Sequence, residues 1–270
     1  MSRSLRRRLG LGVCAGSILL TPIAALAHDY WITPETFSPP APMLLETVLT
    51  SGHSYFSNEV LPDITRLRVF AVQPDGREVE LPVQRVTSDH ALLLAPVTAP
   101  GTYILGAYST KPEYWSRTAE GYRPGRATAV PGAVSTSQYV KGMKTFLAFG
   151  EPTPIWRQPL GHPIELVPQA DPTAQRAGDR LPLQLLFRGE PAVGAEVLAV
   201  YEGFEGDRER EVAVETKTDE QGLAEVPLDR PGRWLTYARI DRPAPPVSGL
   251  ARENYRAYIL IEVGAAEGGR

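Results

Sequence analysis

Leu181-Pro182-Leu183-Gln184-Leu185-Leu186-Phe187, then Gly189-Glu190-Pro191-Ala192-Val193-Gly194-Ala195, then Val197-Leu198-Ala199-Val200-Tyr201 is the stretch on which the fold turns. Two short apolar runs flank a segment of turn chemistry, which spells two strands and their connection. Downstream, Val212-Val214-Thr216 alternates, and Thr218-Asp219-Glu220-Gln221-Gly222 and Pro231-Gly232-Arg233-Trp234 supply reversals through preset φ and glycine's tolerance of positive φ. Working outward, Leu67-Val69-Ala71 alternates against Arg66-Arg68, and Tyr255-Ala257-Ile259-Ile261-Val263 keeps the same period. With 24 glycines and 26 prolines and no repeat, the chain reads as all-β, mostly antiparallel, and built of many short strands.

The pattern over residues 181–240 resembles the prealbumin-like or immunoglobulin-like modules of carboxypeptidase regulatory domains. A looser echo, with Pro74-Asp75-Gly76 and Pro100-Gly101-Thr102-Tyr103 closing a comparable span, predicts two β-sandwiches in tandem. Boundaries follow from the punctuation: 28–150 for the first, 151–162 for a linker and 163–270 for the second. Residues 109–135, with Tyr114, Trp115, Tyr122 and little periodicity, are expected to form a long irregular loop in the first sandwich. Tyr139, Met143, Phe146 and Leu147 have the spacing of a short amphipathic helix over 136–149, a stretch whose pattern is ambiguous.

The first 27 residues are a separate object. Arg3, Arg6, Arg7 and Arg8 precede an apolar run from Leu9 to Leu20 and then Ala25-Leu26-Ala27, the order of an export signal. The run falls short of the roughly 20 residues a spanning helix needs. Cleavage after Ala27 predicts a soluble periplasmic or secreted chain beginning at His28. Cys14, preceded by Val13, lacks the small residue expected before a lipidated cysteine. Removing the four signal arginines leaves 24 basic against 31 acidic residues, a formal charge of −7, which is no footprint for nucleic acid. The single cysteine leaves with the signal, and with it any disulfide or thiolate chemistry.

No phosphate-binding glycine loop, paired-histidine zinc helix, nucleophile elbow or dinucleotide fingerprint occurs after residue 27, so the chain is not read as an enzyme. Chemistry rests on its four histidines, His28, His53, His90 and His162. As a first residue, His28 offers its α-amine and Nδ1, which close a six-membered chelate ring; an internal histidine has only a reluctant backbone amide in that place. If the chain turns over Ser38–Met43 and pairs Phe37 with Leu44, partner numbers sum to 81, and His28 faces His53 with Cβ atoms about 4.5–5.5 Å apart. Imidazole and amine donors suit nickel, copper or zinc, and Glu46, Asp29, Glu59 or Asp63 could complete the shell. His28, His53 and His90 are the candidate metal ligands. The alternative is that His28 merely follows the cut, His53 and His90 sit in turns, and His162 packs beside Pro163.

Ala27-His28-Asp29-Tyr30-Trp31-Ile32 resembles the start of the DUF4198, or NikM-like nickel uptake, family. Ser51-Gly52-His53, Tyr139-Val140-Lys141, Gly161-His162-Pro163-Ile164-Glu165-Leu166-Val167-Pro168 and the Gly189–Gly194 segment extend the likeness across nearly the whole exported chain. The resemblance implies a periplasmic accessory to nickel or cobalt uptake that serves a membrane transporter, with His28 and His53 the leading ligands. Two other classes stay open: an envelope module recognising a glycan or protein partner through Tyr114, Trp115 and Tyr122, and a copper-dependent oxidase, which shares only the ligand types of a histidine brace.

Overall fold

The computed structural model describes residues 28–206 and 211–266; the expected export signal, with Cys14, lies outside the described residues. In chain order the first strands are β1 (Asp29–Pro34), β2 (Met43–Gly52), β3 (Leu67–Val72), β4 (Glu78–Glu80), β5 (Val83–Val86) and β6 (His90–Val97). Then come β7 (Gly101–Ser109), β8 (Glu113–Thr118), β9 (Gly121–Pro124) and β10 (Ser135–Phe149). The second half adds β11 (Ile164–Pro168), β12 (Arg180–Phe187), β13 (Glu190–Pro191), β14 (Glu196–Tyr201), β15 (Val214–Lys217), β16 (Leu223–Pro227), β17 (Gly232–Pro243) and β18 (Arg252–Val263). Among the described residues the only helical segments are three short 3₁₀ turns, and no helix is long and apolar enough to cross a membrane.

The strands form three layers. A central sheet of ten strands runs β15-β14-β17-β18-β10-β7-β3-β4, with the β8–β9 hairpin attached to β10. An outer sheet from the first half, β1-β2-β6-β5, covers one face, and a second, β11-β12-β13 with β16 beside β12, covers the other. The alternation of side chains proves the layering. Val69, Ala71, Leu198, Val200, Tyr258 and Leu260 join the core under the first outer sheet, while their neighbours Phe70, Val72, Val197, Ala199, Ala257 and Ile259 join the core under the second. Each half thus contributes one outer sheet and part of the central one, and the two halves are fused by the parallel pairing of β10 with β18, from Ser137 opposite Arg252 to Thr145 opposite Leu260.

This double cover corrects the expectation of a helix over 136–149. In a sheet buried on both faces, residues on both sides of a strand are apolar, so the period of two fades. In β10, Tyr139, Val140, Met143, Phe146 and Leu147 are all buried. Residues 109–135 are likewise not one irregular loop, because β8 and β9 form a hairpin that pairs with the start of β10. The expected linker is a packed strap. Its 3₁₀ turn Pro154–Arg157 buries Trp156, and Thr153 and Thr102 exchange backbone-to-hydroxyl hydrogen bonds of 3.1 Å each.

The Gly-His-Pro-x-Glu stretch that follows is structural. Glu165 accepts from the amides of Leu160 at 2.7 Å and Gly161 at 3.1 Å and from Lys144 Nζ at 2.8 Å. His162, 5% exposed, lies against Tyr108 with ring centroids 4.5 Å apart and edge-on to Phe70. Its burial pushes the imidazole down to about 4, with Lys144 adding to the shift and Glu165 opposing it.

Candidate metal centre

The β1–β2 hairpin has the register that the turn arithmetic predicts: Asp29 pairs with Gly52, Tyr30 with Ser51, and so on to Pro34 with Thr47. One step beyond the ladder, the rings of His28 and His53 meet with centroids 4.5 Å apart and planes tilted by 44°. Both residues are half-buried, so the pair is held by the fold yet open to solvent.

His53 is aimed by a short loop. The Glu59 carboxylate accepts from the His53 amide at 2.9 Å and the Ser54 amide at 2.8 Å. Burial would raise the Glu59 carboxyl, but bonds from the Ser54 side chain and the two amides outweigh it and hold the group below its usual range. Glycine precedes His53 for a steric reason, since a Cβ at Gly52 would lie 2.8 Å from the Glu59 carboxylate carbon. The Ser51-Gly52-His53 triplet is therefore the seat of this clamp. Phe56 occupies the left-handed region at φ 69, and its neighbour Tyr55 donates to Asp29 Oδ2 at 2.5 Å. That conformation is uncommon for a bulky residue, and anchoring of the loop by its aromatics offsets the strain.

His28 is fixed from the opposite edge of β1. Glu35 N–H donates to Glu46 C=O at 2.8 Å, so odd-numbered residues bond to β2 and even-numbered ones direct their backbone groups away from it. Side chains of β10 meet that edge: Thr145 Oγ1 donates to the Ile32 carbonyl at 2.5 Å and Lys141 Nζ to the His28 carbonyl at 3.0 Å. Lys141 also pairs with Glu113 at 3.3 Å and stands 3.8 Å from the centre of the Tyr30 ring. Tyr30 in turn donates a short hydrogen bond to Glu113. Burial pushes the Lys141 ammonium down, against the pull of Glu113 and Asp29.

Electrostatics favour a neutral ring at His28. Burial lowers its pKa, His53 and Lys141 lower it further, and Glu59 and Glu113 oppose them. An imidazole must be unprotonated to bind a metal, and these shifts favour the unprotonated ring. What the two rings can do chemically is present two nitrogen donors to one small cation.

The other residues named from sequence are engaged with other partners or exposed. His90 opens β6 opposite Thr50, three positions before His53, and its Nδ1 lies 3.1 Å from Asp89 Oδ1 and 3.0 Å from Thr87 Oγ1. Asp63 caps a 3₁₀ turn through Thr65 and pairs with Arg66. Glu46 is exposed. Asp29 is taken by Tyr55 and by Tyr258, whose hydroxyl donates at 2.7 Å; burial first and then Asp29 push both phenols well above their usual range. Among the described residues no three histidine, aspartate, glutamate or cysteine side chains converge as a metal cage. Lys141 lies in a segment that carries the family likeness, but nothing in the spacing of Lys141, Glu113, Tyr55 or Tyr258 announces a contact with residue 28 or 29. Beyond the β8–β9 hairpin, Arg126 covers one face of the Tyr114 ring at 4.0 Å and donates to its hydroxyl.

A family model described as a domain of unknown function, DUF4198, matches residues 25–242. None of the curated proteins compared with the chain matches it. Among solved structures, a DUF4785 family protein from Legionella pneumophila is 7% identical, with 77% of this chain and 51% of that one covered and a TM-score of 0.27. The α2-macroglobulin of Salmonella is 14% identical, covering 87% of this chain and 15% of that one at a TM-score of 0.23. The adhesin InvE of Yersinia pseudotuberculosis is 13% identical, covering 85% and 58% at 0.23. The chain thus spans about half the length of the first of these, a seventh of the second and three fifths of the third.

Proposed function

The chain belongs to the DUF4198 family, and from its histidine pair we propose that this member captures a divalent transition-metal ion outside the cytoplasm and delivers it to a membrane transporter. Export and cleavage before His28 would free an α-amine beside the first imidazole. Amine, His28 ring and His53 ring then supply three nitrogen donors, a set suited to nickel, cobalt, copper or zinc. The ion is cargo in this reading, so two or three protein donors with remaining positions open to water or to an acceptor site suit release better than a closed four-ligand cage.

The observation that supports this reading is the 4.5 Å approach of the two rings, produced by a hairpin register that leaves no slack in where residue 28 falls. Nickel leads the candidates through the family resemblance. The test is calorimetric titration of the exported, processed protein with nickel, copper and zinc beside a His28→Ala variant. Stoichiometric binding by the first and its loss in the second support capture; equal binding by both rejects it.

A further inference from the structure

Carboxylates surround the histidine pair, yet each already has other partners. Asp29 accepts from Tyr55 and Tyr258, Glu59 from the His53 and Ser54 amides, and Glu113 from Tyr30 and Lys141. Lys141 is the pivot of this arrangement. Its side chain is 1% exposed, and its ammonium is divided among the His28 carbonyl, Glu113 and the Tyr30 ring. Burying an ammonium is unfavourable unless it is fully partnered, and an apolar residue of similar size often serves stability as well or better. Its position therefore asks for a reason beyond holding the fold together.

We propose that Lys141 is a positioning and specificity-determining residue of the capture site, which withdraws the oxygen donors next to the first imidazole and leaves nitrogen donors alone to meet the ion. This rests on the reading of His28 and His53 as ligands. An amino-terminal residue has two ways to chelate: through its amine and its own carbonyl oxygen in a five-membered ring, or, for histidine, through its amine and Nδ1 in a six-membered ring. The bond from Lys141 Nζ to the His28 carbonyl, 3.0 Å long, closes the first route and leaves the second. Holding Glu113 occupies a neighbouring carboxylate as well. Calcium, magnesium and manganese depend on oxygen donors, whereas nickel, copper and zinc accept nitrogen readily. The ammonium repels all dications alike, so only ions with strong bonds to nitrogen overcome it.

The experiment compares processed wild type, Lys141→Met and Glu113→Gln by nickel–manganese competition and by the electron paramagnetic resonance of bound copper, with folding followed by circular dichroism. Wild type is expected to keep its nickel against about a thousand-fold excess of manganese and to show nitrogen couplings from its protein donors. Folded Lys141→Met is expected to lose discrimination by about tenfold or more and to admit an oxygen donor into the copper spectrum. Glu113→Gln, which keeps the ammonium on the His28 carbonyl, should still exclude manganese, and it decides the matter if Lys141→Met does not fold. Unchanged discrimination and spectrum in Lys141→Met, or manganese binding gained in Glu113→Gln, would overturn the role of Lys141 while leaving capture intact. Absence of nickel, copper and zinc binding in wild type rejects the capture reading and this inference with it.

Discussion

His28 and His53, 25 residues apart in sequence, stand ring to ring at 4.5 Å because β1 and β2 pair in a register that sends residue 29 to residue 52. A slip of one residue would send one imidazole to the other face of the sheet. Three contacts guard against the slip: Glu59 on the His53 amide, Lys141 on the His28 carbonyl, and Asp29 between Tyr55 and Tyr258.

Replacing Gly52 by alanine tests the loop clamp. The new Cβ would fall 2.8 Å from the Glu59 carboxylate carbon and 3.0 Å from its Cβ, so Glu59 must leave the amides it holds. We expect a cost of about 1–3 kcal/mol for the two amides that lose their acceptor. Because His53 is then no longer aimed, nickel affinity should fall by about 10–100-fold, the usual penalty for disturbing the support of a ligand. Urea unfolding and nickel titration of Gly52→Ala measure the two effects.

His162 gives the protein an acid sensitivity. Its folded pKa of about 4 lies below the unfolded value of 6.5, so the unfolded chain takes up the proton first as pH falls. Stability from this residue is whole above pH 6.5 and declines until about pH 4, by up to about 3 kcal/mol. Urea melts of wild type and His162→Gln at pH 7 and pH 4.5 should show a smaller pH-dependent loss in the variant.

The buried pair of Lys144 and Glu165 offers a control on fold without site. Both side chains are at most 3% exposed and 2.8 Å apart. Lys144→Met removes the cationic partner of Glu165 and leaves its carboxylate only the Leu160 and Gly161 amides, which should cost about 3–5 kcal/mol. Chemical denaturation should register that loss while nickel affinity under native conditions stays at the wild-type value.

The hairpin was legible in the sequence because its turn length and its strands fixed the pairing between them, and the all-β class was legible in the turn chemistry. What sequence concealed arose from long-range contact. The β10 segment has apolar residues on both sides because one outer sheet covers each face, so Met143 and Phe146 fall at helical spacing by coincidence. The β10–β18 pairing joins residues more than a hundred positions apart, and no local pattern encodes it. Lys141 stands in a family-like segment, but its bond to the His28 carbonyl exists only once β1 is laid against β10. His90 shares only its residue type with the pair, and its turn with Thr87 and Asp89 is what separates it.

In the proposed capture site a free amine on His28 and the ring of His53 grip one ion together. Nickel affinity of the chain starting at His28 should be compared with that of a chain carrying one extra glycine before it, both confirmed by intact mass. The extension leaves both imidazoles in place and turns the amine into an amide, so affinity should fall by about a hundred-fold or more, beyond the usual loss from a disturbed ligand support. Equal affinity in the two chains would show that the His28 amine is not a ligand.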